Sequence, residues 1–260
     1  MKNIVLFDMD GTLTPARQPM ERPVTDKLIQ LQRAGFEIGI VTGSDLEYVK
    51  EQCQDLFKHI AIDISAIHFM PCNGTKYYRL HNANFHTIYE KNMRDELGEL
   101  MWKRMIRIVT NLQLSLTNAN RNLPITGHFI DYRGSTLNWC PIGRQASNAD
   151  RASWVLWDKH GWIRNKWLMT IREELQESGL ENVVVKIGGD TSFDIYPEGW
   201  DKTYAFKNFE NYDNIYFVGD RCGPNGNDKE AYNLAGKLGF NTTGPEKTIE
   251  IINQIIVEYK

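Results

Sequence analysis

The 260-residue chain contains 42% hydrophobic and 24% charged residues and carries a formal net charge of −3, a composition that excludes a disordered or fibrous protein. This charge balance gives no electrostatic footprint for a nucleic-acid partner. Residues 1–7 contain one lysine and a short apolar run that meets Asp8 at once, so we expect neither a signal peptide nor a membrane span and predict a cytoplasmic protein without a membrane partner. The four cysteines lie far apart without metal-ligand or disulfide spacing, which predicts free thiols in the core.

The first part of the chain predicts alternating strands and helices. The apolar run at residues 4–7 is typical of a parallel strand that is buried on both faces. Apolar residues recur at helical spacing in residues 25–34, after which Gly35 can supply the left-handed residue that ends a helix. A second apolar strand at residues 36–41 leads into residues 42–45, which open another helix. This β-α-β-α order predicts a parallel sheet.

The middle of the chain has a different pattern. Residues 90–112 carry an apolar stripe at helical spacing, and a second helical stretch at residues 147–178 is predicted to break near Gly161. Short strands are predicted before and after this second stretch, at residues 129–133, 136–140, 183–187 and 192–196. The apolar run at residues 215–218 then returns to the buried-strand pattern.

These elements together predict an α/β protein whose Rossmann-like parallel-sheet core is interrupted by an inserted α+β cap. We place the core at residues 1–87 and 198–260 and the cap at residues 88–197. The helices and antiparallel strands of the middle segment would then form a unit of their own, which we expect to determine substrate specificity.

Two aspartates follow the first predicted strand. Asp8 and Asp10 stand two residues apart in an extended stretch, so both side chains can face one cavity at the carboxyl end of the strand. Such a pair repels unless a cation lies between the two carboxylates, and Mg²⁺, which prefers oxygen ligands, is the natural candidate. Asp8 could then attack phosphorus while Asp10 donates a proton to the leaving oxygen. The alternative role for such acids is turn formation or helix capping.

Three further sets of residues meet the needs of phosphoryl transfer. Thr42 and Ser44 end the second strand, where hydroxyl groups and a helix N-terminus can hold phosphate oxygens. Lys202 can neutralise charge on the transferring group. More oxygen ligands for the metal are predicted in the loop after the last apolar strand, at Asp220, Asn227 and Asp228. Each residue alone has an ordinary alternative, such as a helix cap for Ser44 or a solvated surface position for Lys202.

Three strings carry a resemblance to a known family: FDMDGTLTPAR at residues 7–17, FIDYRGSTLNWCPIGRQASNADR at residues 129–151 and GGDTSFDIYPEGWDK at residues 188–202. The order of the motifs resembles the haloacid dehalogenase (HAD) superfamily of aspartyl-phosphate enzymes, and the strings resemble the eukaryotic-type phosphomannomutases over residues 3–252. The resemblance implies a HAD-type core and an isomerase that interconverts mannose 6-phosphate and mannose 1-phosphate and so supplies GDP-mannose synthesis. It also implies an aspartyl-phosphate on Asp8, Mg²⁺, a hexose 1,6-bisphosphate activator and a homodimer formed through the cap.

The same resemblance assigns substrate contacts to the residues at the matching positions, which are Arg17, Arg133, Arg144, Arg151, Ser192 and Asp194. Several arginines suit a second phosphate at the far end of a sugar. In the strand predicted at residues 192–196, Ser192 and Asp194 share one face and could bind sugar hydroxyls. Arg151 falls in the first turn of a helix that Ser147 could cap, where a cation opposes the helix dipole unless an anion is bound nearby. Ordinary surface ion pairing is the alternative for any single arginine.

Two other functions compete with the mutase. A HAD-type sugar phosphatase shares every core motif, because water instead of a sugar hydroxyl would accept the phosphoryl group. The cap arginines argue against it, since a phosphatase has less need to hold a phosphate at the remote end of its substrate. A non-catalytic sugar-phosphate binder is the third alternative, and the set Asp8, Asp10, Lys202 and Asp220 argues against it, because binding alone needs no nucleophile.

Overall fold

The computed structural model describes residues 1–119, 123–224 and 226–258. It divides the chain into two compact units, which we call the core unit (Met1–Glu90 with Gly199–Lys260) and the cap unit (Lys91–Glu198). The sequence had placed the two changeovers near residues 87 and 198. In the described part of the chain, each helix is too short or too polar to cross a membrane.

The core unit begins with β1 (Asn3–Phe7), α1 (Arg22–Arg33), β2 (Phe36–Val41), α2 (Leu46–Gln52), α3 (Gln54–Lys58), β3 (Ile67–Met70), β4 (Lys76–His81) and β5 (Asn84–Glu90). The cap unit contains α4 (Met93–Ala119), β6 (Ile130–Tyr132), β7 (Leu137–Trp139), α5 (Asn148–Gly161), α6 (Ile163–Glu177), β8 (Val183–Gly188) and β9 (Ser192–Pro197). The core unit resumes with a 3₁₀ helix (Lys202–Phe209), followed by β10 (Asn214–Gly219), α7 (Lys229–Ala235), β11 (Gly239–Asn241) and α8 (Pro245–Glu258).

A seven-stranded sheet forms the centre of the core unit, with strand order β11-β10-β1-β2-β3-β4-β5. The first five strands of this order are parallel, and β4 and β5 extend the sheet as an antiparallel hairpin. Central β1 pairs with both neighbours, so Phe7 lies opposite Ile40 of β2 and Val218 of β10. The carboxyl ends of these three strands therefore meet at one edge of the sheet, as the predicted α/β core requires.

The apolar run of β1 is buried because both faces of the sheet are covered. Val5 and Phe7 pack into a cluster with α1, α2 and α8, whereas Ile4 and Leu6 pack into a second cluster with the 3₁₀ helix and α7. This alternation is that of a parallel strand enclosed on both faces. The rigid central strand fixes the backbone that leads into Asp8.

The cap unit is built on a four-stranded antiparallel sheet with strand order β6-β7-β9-β8. Its register places Asn138 of β7 directly opposite Asp194 of β9. The predicted cap of α5 is confirmed, because the Ser147 hydroxyl accepts from the backbone N–H of Asp150, whose carboxylate accepts in return. The predicted break near Gly161 is also confirmed, since Trp162 adopts a left-handed conformation between α5 and α6.

Two of the predicted helices have different bounds in the structure. Helix α4 starts at Met93 and extends to Ala119, with an interruption at Gly98, whereas the apolar stripe had placed it at residues 90–112. Helix α2 starts at Leu46, because Asp45 forms its N-cap by accepting from the backbone N–H of Tyr48 at 2.9 Å. The cysteines are free, as predicted: three are buried and Cys222 is half-buried.

Candidate active site

The ends of β1 and β10 bring three aspartates together. Asp8 follows β1, Asp220 follows β10, and Asp228 immediately precedes α7. The backbone N–H of Asp8 donates to the carbonyl of Val218 at 2.9 Å, so strand pairing continues up to this residue. One carboxylate oxygen from each aspartate lies within 4.8 Å of the other two. We call Asp8, Asp220 and Asp228 the acidic cluster.

Lys202 lies against the acidic cluster. Its Nζ donates to Oδ1 of Asp8 and to Oδ1 of Asp228, both at 2.5 Å, and its side chain is 1% exposed. The 3₁₀ helix positions this lysine at its first residue, because Asp201 caps the helix by accepting from the backbone N–H of Thr203 at 2.8 Å. Lys202, which the sequence predicted to neutralise charge, is thus held between two carboxylates.

The charges at this site fit a bound divalent cation. Three carboxylates, two buried and one half-buried, face one ammonium group, and Nε of Arg221 lies 3.7 Å from Oδ2 of Asp220, which still leaves net negative charge at the site. Two side-chain oxygens of the same loop, Oδ1 of Asp220 and Oδ1 of Asn227, are buried without a hydrogen-bond partner among the described residues. Buried oxygens are costly when they are unpaired, and a hard cation takes such oxygens as ligands. Asp8, Asp220, Asn227 and Asp228 therefore fit the metal site that the sequence predicted.

Burial and like charge shift the pKa values in the acidic cluster. Burial, and then the charge of Asp228, raise the pKa of Asp8 well above its usual range, although Lys202 opposes the shift. The same two causes raise the pKa of Asp220. Burial alone would lower the pKa of Lys202, but Asp228 and Asp8 outweigh it and raise that pKa. An added cation would favour the ionised carboxylates.

Asp10 lies apart from the acidic cluster as the described residues define it. Its Oδ1 accepts from the backbone N–H of Arg17 and from the hydroxyl of Tyr48, both at 2.9 Å. Burial, and then the charge of Asp10, raise the pKa of Tyr48, so this hydroxyl stays protonated and donates. The side chain of Arg17 is exposed. The structure thus separates the predicted acid–base residue from the three clustered carboxylates, and a metal contact by the Asp10 side chain stays a prediction.

Gly11 lies closer to the Asp220 side chain than a residue with a Cβ atom could. Its φ is +76°, and a Cβ atom at this position would lie 2.5 Å from Oδ2 of Asp220 and 2.8 Å from its Cγ. A side chain would therefore strain the turn and displace the metal-site carboxylate. The glycine of the first motif is needed for the space beside Asp220 as well as for the turn.

Thr42 and Ser44 shape the loop after β2. Thr42 is buried, and its Oγ1 accepts from the backbone N–H of Ser44 at 3.1 Å. The carbonyl of Ser44 accepts from the backbone N–H of Cys72 at 2.8 Å. Asp45 satisfies one backbone N–H at the start of α2, and a phosphate contact at this helix N-terminus stays a prediction. The hydroxyl groups of Thr42 and Ser44 remain predicted phosphate contacts.

One face of the cap sheet carries a polar network. The Asn138 amide donates to Oγ of Ser192 at 3.0 Å and to Oδ1 of Asp194 at 2.7 Å, and its Oδ1 accepts from Nη1 of Arg144 at 2.8 Å. Phe193 points to the other side of the sheet and stacks on Trp139, with ring centroids 5.0 Å apart. The structure therefore brings together three residues of the predicted substrate set: Arg144, Ser192 and Asp194.

The other two cap arginines lie around this network. Nε of Arg133 lies 3.0 Å from Oδ2 of Asp131, and Nε of Arg144 lies 3.5 Å from the same oxygen. Arg151 donates from Nη1 to the Thr191 hydroxyl at 2.8 Å and from Nη2 to the carbonyl of Arg144 at 2.8 Å. Hydrogen bonds and ion pairs within the cap unit thus hold the three cap arginines in place.

Four residues of these sites were missed by sequence reasoning: Tyr48, Asp131, Asn138 and Thr191. Asn138 gave a usable signal, because it is the one polar residue of strand β7, between Leu137 and Trp139. Asp131 stands two residues before Arg133 in a predicted strand, which places both on one face. Tyr48 gave no signal, since a tyrosine in the first turn of a helix normally belongs to the core.

Comparison with known proteins assigns the family. The sequence profile described as eukaryotic phosphomannomutase matches residues 24–258. A phosphomannomutase of Dendrobium officinale is 35% identical over 251 residues, which cover 95% of this chain and 91% of that protein. A phosphomannomutase of Encephalitozoon cuniculi is 34% identical over 258 residues, which cover 98% of this chain and 94% of that protein. The chain belongs to the eukaryotic phosphomannomutase family.

Similar solved structures agree with the predicted fold. The C-terminal domain of Candida albicans trehalose-6-phosphate phosphatase superposes with a TM-score of 0.63 at 13% identity and covers 98% of this chain and 92% of that one. An N-terminally truncated IMP-nucleotidase of Plasmodium falciparum gives a TM-score of 0.69 at 13% identity, with 100% and 71% covered. At this identity the likeness concerns the fold alone, and it supports a HAD-type core. The phosphomannomutase relatives favour the mutase over the phosphatase, and the family implies a divalent metal.

Proposed function

We propose that this enzyme interconverts mannose 6-phosphate and mannose 1-phosphate through an aspartyl-phosphate and a hexose 1,6-bisphosphate, and thereby supplies GDP-mannose synthesis. The observation that carries the proposal is the match to phosphomannomutases along almost the whole chain. The geometry of Asp8, which is buried beside Lys202 at the end of a central strand, supports it.

In the first step, an oxygen of Asp8 forms a bond to phosphorus while the bond from phosphorus to a sugar oxygen breaks. Lys202 neutralises part of the charge on Asp8 and on the transferring group. Asp10 gives a proton to the leaving sugar oxygen and takes one from the sugar hydroxyl that attacks in the return step. Each step transfers one phosphoryl group and one proton, and the hexose 1,6-bisphosphate supplies the phosphoryl group that first loads Asp8.

We propose Mg²⁺ as the divalent metal, with Asp8, Asp220, Asn227 and Asp228 as the residues that would hold it. When bound, this ion supplies positive charge that stabilises the phosphoryl oxygens. The orphaned oxygens of Asp220 and Asn227 support the proposal, and Gly11 leaves the space that Asp220 needs.

We propose that the cap binds the phosphate that does not react. Arg133, Arg144 and Arg151 offer the planar donor groups that bind phosphate in pairs of hydrogen bonds. Asp131, Thr191 and Asn138 hold these arginines in place. In this proposal Ser192 and Asp194 bind sugar hydroxyls, and Arg17, Thr42 and Ser44 of the core unit contact phosphate oxygens. A bisphosphate that turns around would present either end to Asp8.

The test follows two products at once. Purified enzyme receives Mg²⁺ and mannose 1-phosphate, with and without glucose 1,6-bisphosphate, and both mannose 6-phosphate and free phosphate are measured. We expect mannose 6-phosphate to form rapidly when the bisphosphate is present and free phosphate to stay low. Release of phosphate without isomerisation would overturn the mutase in favour of a sugar phosphatase. A parallel assay with glucose 1-phosphate measures the preference for the 2-hydroxyl configuration.

The same assay tests the predicted activator, a hexose 1,6-bisphosphate. Two further properties stay predictions that it does not address: the enzyme acts in the cytoplasm, and the protein forms a homodimer through the cap. Sedimentation of the full chain measures whether a dimer forms.

A further inference from the structure

The two oxygens of the Asp10 carboxylate have different surroundings. Oδ1 accepts two hydrogen bonds of 2.9 Å, one from the Tyr48 hydroxyl and one from the backbone N–H of Arg17. Among the described residues, no hydrogen bond reaches Oδ2. Two donors on one oxygen fix the plane of the carboxylate and leave the other oxygen as the one that can carry a proton.

Tyr48 is held in place independently of Asp10. Its backbone N–H donates to Oδ1 of Asp45 at 2.9 Å, which sets the first turn of α2. Its ring packs against the apolar cluster between α1, α2 and the sheet. Since β1 and β2 are neighbouring parallel strands, α2 starts at the same edge of the sheet as Asp10. A fixed ring therefore delivers a fixed hydroxyl to the carboxylate.

We infer that Tyr48 is a positioning residue for the proton transfer that Asp10 performs. This inference rests on the proposed function, because it assigns a role within the same reaction. As the bond from phosphorus to the sugar oxygen breaks and the bond to Asp8 forms, the proton moves from Oδ2 of Asp10 to the leaving oxygen. Tyr48 keeps its own proton and holds Oδ1 throughout. Without the hydroxyl, one donor to Oδ1 is lost and the carboxylate can rotate away from the leaving oxygen.

The leaving group separates this role from a purely structural one. A sugar alkoxide is a strong base that needs a proton as it leaves, whereas p-nitrophenolate is a weak base that leaves without one. Loss of correctly placed acid therefore slows phosphoryl transfer from a sugar phosphate and spares transfer from p-nitrophenyl phosphate. General damage to the fold or to the acidic cluster slows both.

The experiment compares formation of the phosphorylated enzyme from glucose 1,6-bisphosphate and from p-nitrophenyl phosphate in the Mg²⁺-loaded protein, by rapid quench and intact mass. We expect Tyr48→Phe to slow transfer from the bisphosphate about tenfold to a hundredfold, which is part of the roughly 10²- to 10⁴-fold that a general acid contributes, and to change transfer from the aryl ester less than twofold. Asp10→Asn should show the same selectivity with a larger loss. Tyr212→Phe is the matched control, because its hydroxyl donates to Glu37 instead, and neither rate should change.

An equal loss with both donors, or no loss with either, would overturn the role of Tyr48. The proposed function fails on a different result, namely that the wild-type enzyme forms no mannose 6-phosphate from mannose 1-phosphate. The comparison of the two phosphoryl donors still tests the role of Tyr48 in that case. A sugar phosphatase would also form a phosphorylated Asp8 and protonate the leaving oxygen.

Discussion

The acidic cluster of the core unit and the polar network of the cap unit have opposite electrostatic needs. In the core, three clustered carboxylates, two of them buried, lie around one buried ammonium group from Lys202 and one guanidinium from Arg221. In the cap, Asp131 lies close to both Arg133 and Arg144, and Arg151 donates to the Thr191 hydroxyl. The first site therefore needs an added cation, and the second suits an added anion.

This difference requires fixed positions for the charged side chains of each site. Excess like charge would push side chains apart unless the backbone fixed them. In the core, parallel strand ends and the 3₁₀ helix provide the fixed points. In the cap, hydrogen bonds from Asn138 and Thr191 do so. A divalent cation and a sugar phosphate would then relieve one site each, and the variants below test this assignment.

The largest expected effect is the loss of turnover when the nucleophile of the core site is replaced. We expect Asp8→Asn to lose at least about 10⁴-fold in kcat, because removal of a nucleophile leaves only binding and charge stabilisation. The variant should also form no phosphorylated enzyme by intact mass. Full turnover by Asp8→Asn would contradict the covalent mechanism.

The stability of the same variant provides its control. Asp8→Asn removes one carboxylate from a cluster with excess negative charge, and the raised pKa of Asp8 shows that its ionised form is disfavoured there. In the presence of a chelator we therefore expect Asp8→Asn to unfold at the same temperature as the wild type or at a higher one. A large loss of stability would mean that inactivity reflects misfolding.

The second effect is on metal binding by the core. Starting from chelator-treated protein, Mg²⁺ at a hundred times its Kd should raise the free energy of unfolding by about 2.7 kcal/mol. Asp220→Asn should need at least about tenfold more Mg²⁺ for the same rise in the unfolding temperature. Glu246→Gln, which changes an exposed carboxylate on α8, should respond like the wild type. An unchanged Mg²⁺ response in Asp220→Asn would remove this residue from the metal site.

The third effect tests the cap. Arg144→Lys keeps the charge but loses the planar donor pair, so we expect the KM for mannose 1-phosphate to rise about tenfold. Phosphorylation by p-nitrophenyl phosphate, which carries no second phosphate, should not change. Arg107→Lys, an exposed position on α4, is the control. A loss confined to kcat with both donors would assign Arg144 to the reaction centre instead.

The core site was more predictable than the cap network for a physical reason. Asp8 and Asp220 directly follow apolar runs, and such runs predict central parallel strands whose ends meet. In the cap, the bond from Asn138 to Asp194 joins residues 56 positions apart and depends on strand register. Alternation assigns a residue to a face but does not identify its partner on the next strand.

The hairpin of β4 and β5 shows, within the fold, that strand pairing is hard to predict from sequence. Along β5, each residue is exposed or only half-buried, so this edge strand has no apolar run and was not predicted. Its existence follows from pairing with β4, which is itself half apolar. Pairing through backbone hydrogen bonds leaves no pattern of its own in the sequence, and even the short buried strand β3 was not predicted.

A third polar cluster lies at the amino-terminal ends of the core strands, away from the acidic cluster. His68 is 3% exposed, its Nε2 lies 2.7 Å from Oε2 of Glu37, and its Nδ1 lies 2.7 Å from the Tyr77 hydroxyl. Nη1 of Arg79 lies 3.0 Å from both ring nitrogens. Here the carboxylate and the guanidinium balance each other, so this cluster should respond to pH where the other two respond to ligands.

The smallest expected effect is therefore a pH dependence of stability. Burial lowers the pKa of His68 from its ordinary value of 6.5 to about 4, and the nearby Arg79 adds to the shift. The unfolded chain thus binds the proton first, so the stability from a neutral His68 is full above pH 6.5 and falls as the pH drops toward 4. We expect a loss of about 1 to 2 kcal/mol in the free energy of unfolding between pH 7 and pH 5 from this residue.

Urea unfolding at the two pH values measures this loss. His68→Gln should be less stable at pH 7 but should lose less stability on acidification than the wild type. His81→Gln, which changes an exposed histidine on the neighbouring strand β4, should keep the wild-type pH slope. Glu37 does not account for this window, because hydrogen bonds from His68 and Tyr212 outweigh its burial and lower its pKa, so its contribution is lost only below its ordinary value of 4.5. A wild-type slope in His68→Gln would show that the pKa of His68 is the same in the folded and the unfolded chain, and that another group causes the loss.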